Sequence, residues 1–103
     1  MYDIYTGDTI KEEFNLLFTF SEEEHTELFV YMDTIDYNKH KMLNEIKNYS
    51  ETVNFSYNEI ILLKKELNYI NSINKNIGVS IALEKACDEA IKNGLELICS
   101  GEK

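Results

Sequence analysis

The most constraining stretch of this sequence is NFSYNEIILLKKEL, residues 54–67. Ser56 stands three residues before Glu59, the spacing of a capping box, in which a hydroxyl and a carboxylate satisfy the free N–H groups around a helix start. Phe55 and Ile60 take the hydrophobic positions that staple such a start. Ile60, Leu63, Leu67 and Ile70 then recur every three or four residues, with Lys64, Lys65 and Glu66 between them. That period predicts a helix over 57–73 with one buried face. A second helix is expected over 79–92, where Val79, Leu83, Ala86, Cys87, Ala90 and Ile91 share a side. Lys92 complements its dipole and Gly94 supplies a left-handed stop. Leu63, Leu67, Ile70, Leu83 and Ala90 should meet in one core.

The rest of the chain reads as helical by the same logic. It has 103 residues, no proline and only four glycines, with 44% hydrophobic residues. This suits a single domain over 1–103 with few breakers. In SEEEHTEL, residues 21–28, Ser21 and Glu24 form a second capping box, and Glu22 and Glu23 fall in the first turn, where negative charge is favoured. Leu28, Met32, Ile35, Met42, Ile46 and Tyr49 keep a three–four alternation if Lys39 fills the missing position. One long helix over 22–48, bent near 33–36, is therefore expected, with two shorter helices as the alternative.

Residues 10–20 fit two patterns. Ile10, Phe14, Leu16, Phe18 and Phe20 alternate as in a strand. Ile10, Phe14, Leu17 and Phe18 also fit a helix capped by Thr9 and Glu12, and the paired Glu12 and Glu13 favour that choice. After Gly94, LELICS has strand-like composition and MYDIY at the N-terminus is its expected partner. The fold class predicted is mainly α: a small bundle of about four helices, with a minor two-stranded element from the chain termini.

Charge narrows the function. Residues 1–36 hold ten carboxylates against Lys11 alone, whereas residues 37–103 hold nine acids and nine lysines. The whole net charge of −9 lies in the first third. Direct nucleic-acid binding and anionic-membrane binding, which need a basic footprint, are disfavoured. No stretch has the length of a membrane span, no secretory leader is visible, and a cytoplasmic location is expected. Cys87 and Cys99 lack a CxxC spacing and read as two buried free thiols.

Chemical motifs are sparse. Glu22 and His25 have the E-x-x-H spacing of carboxylate-bridged metal bundles, but Tyr37, not a carboxylate, stands three before His40, so the second half is missing. No metal or cofactor is expected, and without a phosphate-cradling loop or nucleophile elbow neither is an enzyme. His25 shares the apolar side of its helix with Leu28 and Met32 and should be partly buried; His40 should be solvated. On the opposite side lie Glu22, Glu23, Thr26, Glu27, Asp33 and Thr34, with Val30 among them and Tyr31 at the edge. An apolar centre with a polar rim is the composition of a partner-binding surface. The candidate set is Glu22, Glu23, Glu27, Val30, Tyr31 and Asp33.

YSETVNFSYNEIILLKKELNYI followed by ACDEAIKNGLELICSGEK, within residues 49–103, resembles the small cytoplasmic immunity proteins of bacterial polymorphic and contact-dependent growth inhibition systems. The resemblance rests on Tyr49, Glu51, Thr52 and Phe55 before a capped amphipathic helix, then a helix leading to Gly101 and Glu102. It implies a protein that binds and neutralises a cognate toxin, often a nuclease with a basic active-site surface. The charge distribution is compatible with that partner. The alternative is an acidic nucleic-acid mimic of the anti-restriction or anti-CRISPR kind, against which the charge balance of residues 37–103 speaks.

Overall fold

A computed structural model describes residues 1–32, 40–73 and 77–101, with the side chains of Tyr31 and Met32 left aside. In chain order its elements are β1 (Tyr2–Asp8), β2 (Glu13–Phe20), α1 (Glu22–Met32), α2 (Lys41–Glu45), β3 (Thr52–Phe55), α3 (Tyr57–Ile73), α4 (Gly78–Asn93) and β4 (Glu96–Ser100). The strands form one antiparallel sheet in the order β2-β1-β4-β3. The protein is therefore a small α/β fold and not the mainly α bundle the sequence suggested.

The helices expected over 57–73 and 79–92 form, as α3 and α4. Ile60, Leu63, Leu67 and Ile70 of α3 are fully buried and share a core with Leu83, Ala86 and Ala90 of α4. Gly94 ends α4 in the left-handed conformation, at φ 65°. Ser56 makes half a capping box: its N–H and its hydroxyl both donate to Glu59 Oε1, at 2.9 and 2.8 Å. The expected pairing of the terminal segments also forms, with Ile4 opposite Cys99 and Thr6 opposite Leu97. Cys87 and Cys99 are buried free thiols, and burial pushes the Cys87 thiol up to about 12.

Two expectations fail in the first half. Residues 13–20 are the strand β2, not part of a helix. Thr9 does not cap a helix; its N–H and hydroxyl donate to Glu96 Oε2 across the sheet at 2.9 and 2.8 Å. Asp8 Oδ1 instead accepts the N–H groups of Ile10 and Lys11, at 3.0 and 3.2 Å, and Glu12 adopts φ 55°. An Asx-type turn plus one left-handed residue reverses the chain without glycine. Nor does one helix run over 22–48. His40 is not helical and α2 spans only Lys41–Glu45, so the described residues fit the alternative of shorter helices; Ile35, Lys39 and the supposed bend lie outside the described residues.

A bulge decides which side chains of β2 face where. Ile4 pairs with Phe18 but Tyr5 pairs with Leu16, so Leu17 has no partner in the ladder. Directly paired residues share a face of the sheet. Phe18 and Phe20 thus face the core with Ile4 and Tyr2, while Leu16 and Phe14 go to the opposite face, away from the core, with Tyr5 and Gly7. A strict alternation would have buried all four.

Candidate functional site

α1 displays the residues that sequence reasoning singled out. Its start is a complete capping box: Ser21 N–H donates to Glu24 Oε1 at 3.0 Å, and Glu24 N–H donates to Ser21 Oγ at 3.1 Å. Glu22, Glu23 and Glu24 occupy the first turn, where the helix dipole favours them. Leu28, Phe29 and His25 face inward and are buried. Glu22, Glu23, Thr26 and Glu27 are exposed, and Val30 lies among them with 59% of its surface open. Four of the six candidates are therefore brought together on one helix face. Tyr31 belongs to α1 by its backbone, its side chain lying outside the description, and Asp33 lies outside the described residues.

His25 fixes the orientation of that face. Its ring sits among Tyr2, Phe29, Tyr49 and Phe20, with centroids 4.8, 4.9, 5.3 and 6.2 Å away. The Nε2 atom lies 2.7 Å from the Ile46 carbonyl, which can only accept, so this nitrogen carries the hydrogen. Burial lowers the proton affinity of the ring, opposed by that carbonyl and by the charge of Glu22. The histidine is a structural pin between α1 and the chain after α2. Beside it, Thr26, Phe29, Val30 and Lys47 complete a shallow depression of about 240 Å³.

His40 corrects the sequence reading. It was expected in solvent but is 3% exposed, with its ring 5.7 Å from that of Tyr69. Near it, Glu66 receives the N–H groups of Met42 and Leu43 at 3.1 and 3.0 Å and so holds the start of α2. Burial raises the Glu66 pKa, while these bonds and the nearby His40 lower it. A signal existed for Glu66: its helical neighbours at three and four residues are Leu62, Leu63, Tyr69 and Ile70, so no lysine on α3 could pair with it.

The face of the sheet turned away from the core was missed altogether. Phe14 and Leu16 are half exposed there, beside Tyr5 and Ile98. The Phe14 ring lies against Gly7, where any Cβ would collide with it. Toward β3 the same face becomes polar. Thr52 and Ser100 join hydroxyls at 2.8 Å, and Asn54 donates to Glu96 at 3.3 Å. The bonds from Thr9 and Asn54 outweigh slight burial and hold the Glu96 carboxyl below its usual range.

Among the described residues, no three His, Cys, Asp or Glu side chains converge as metal ligands, and no helix is long and apolar enough to cross a membrane. In comparisons with known proteins, the chain matches no family model, no curated protein and no solved structure.

Proposed function

We propose that this protein is an immunity protein, which binds a bacterial toxin of the nuclease class and blocks it with an acidic surface. The observation that carries this reading is the coincidence of charge and exposure. The first third of the chain holds all the net charge, and its Glu22, Glu23 and Glu27 stand exposed around an exposed valine on a rigidly capped helix. A nuclease site is basic because it holds phosphates, so carboxylates speed encounter with it and Val30 supplies a dehydrated contact.

The test is co-purification with the toxin encoded beside it, then association kinetics across a salt series. Association should slow steeply as salt rises. The double reversal Glu23→Lys/Glu27→Lys should weaken binding at least tenfold and leave the melting temperature nearly unchanged, because both side chains are exposed. Binding indifferent to salt and to the reversal would refute an acidic interface. It would move attention to the lysine-bearing cleft of about 420 Å³ lined by Tyr57, Ile61, Lys64, Lys65, Asn68 and Ile91.

A further inference from the structure

β2 ends the sheet, so one of its long sides carries backbone N–H and C=O groups that β1 does not use. Proteins usually shield such an edge by shortening it, adding charge or proline, twisting it away with a bulge, or laying another element over it. This edge is eight residues long, EFNLLFTF, and contains neither lysine nor proline; its bulge at Leu17 leaves Glu13–Leu16 and Phe18–Phe20 in regular register with β1. α4 stands back from it and leaves an open cleft of about 320 Å³, lined by Leu17, Phe18, Ala82, Lys85, Ala86 and Glu89. The bulge makes this possible. It lets the consecutive Leu17 and Phe18 both border the helix side, where alternation would have sent one of them away. Two alanines across the gap keep it wide.

We propose that β2 and α4 form a docking groove in which an extended, lysine- or arginine-bearing segment of a partner protein joins the sheet as a fifth strand. Backbone pairing with β2 would supply affinity for any extended chain, and alternate side chains would enter the cleft. Charge selects the occupant. Within the cleft Glu89 and Lys85 offset each other, so the selection rests on Glu12 and Glu13, exposed at the start of β2, and on the net charge of −9 of the whole chain. A second copy of this chain would set −9 against −9, whereas a basic segment is complementary. The proposal shares with the proposed function only the expectation of a basic partner, and it uses a different element.

The probe is a capped, fluorescent octapeptide of alternating lysine and valine, titrated against the full chain at low salt with backbone amide NMR. Amide shifts should concentrate on β2 and on α4 around Ala82 and Ala86. A peptide with glutamate in place of lysine should bind at least tenfold more weakly, as should the lysine peptide to Ala82→Gln. Methylating every second amide nitrogen of the peptide gives two phases. In strand pairing, one phase costs at least tenfold more affinity than the other. Equal effects of the two phases, or shifts confined to α1 and abolished by Glu23→Lys/Glu27→Lys, would overturn the groove while leaving the proposed function intact. A groove that binds the peptide in a protein indifferent to its neighbouring toxin would do the reverse. Sedimentation showing a dimer that the peptide dissociates would overturn the assigned occupant.

Discussion

The two edges of the sheet are built on opposite principles. β3 has four residues; Phe55 is wholly buried against the helices, and its outward side chains, Thr52 and Asn54, are tied to Ser100 and Glu96. At the entry to β3 the chain is tightly closed. Gly101 donates to the Glu51 carbonyl at 3.3 Å, and a Cβ on it would collide with the Tyr49 backbone. β2 has eight residues, a bulge, and apolar side chains on both faces, two of them half exposed. One edge spends its apolar residues on the core and covers the remainder with polar bonds. The other keeps part of its apolar surface available. Stability and availability are thus divided between edges of a single sheet.

The sharpest way to break this contrast is to make one substitution on both edges. Phe55→Ala empties a fully buried site and should cost about 3–5 kcal/mol. Phe14→Ala removes a ring that is 53% exposed and should cost less than about 1 kcal/mol. Urea unfolding of both variants measures the difference, and equal losses would show that β2 is no less structural than β3.

Gly7→Ala sharpens the picture of β2 itself. A Cβ there meets the Phe14 ring, which can swing away, and also the Glu13 carbonyl at 2.8 Å, which cannot. A loss of about 1–3 kcal/mol is expected from such crowding. In the double variant with Phe14→Ala the ring's share should disappear, so the two losses should not add. Strict additivity would mean that the ring does not lie over Gly7.

The smallest effect concerns the corner where β2 hands the chain to α1. Folded His25 holds its proton more weakly than an unfolded histidine, chiefly because it is buried. As pH falls through about 6.5, the unfolded chain gains its proton first, so stability present above that value is lost below it. Thermal midpoints should fall more between pH 7.5 and 5.5 for the wild type than for His25→Gln. A difference of zero would remove the histidine from the pH response.

What could be read from the sequence was what is local. α3 and α4 announce themselves because period, caps and stop signals lie within their own segments. β2 was hidden by its bulge, which changes the parity of facing sides between Leu16 and Phe18, and by a turn made from Asp8 and Glu12 without glycine. β3 was hidden for another reason: Phe55 reads as the staple before α3 and also serves as a strand residue facing the core. The helix wheel correctly exposed Glu22, Glu23, Glu27 and Val30, since a capped helix fixes its own faces. The burial of His40 and the exposure of Phe14 depend on Glu66, Tyr69 and strand order, which only the assembled chain supplies.

The strand order also sets a timetable. The central pair, β1 and β4, brings together the first and last of the described elements, with every other described element between them. Until β4 is synthesised, the β1–β2 hairpin has no inner neighbour, and β1 presents a second open side. Contacts of such long sequence separation form late and slowly. The nascent hairpin therefore exposes the inner side of β1, which β4 later covers, and that interval is when mispairing would occur.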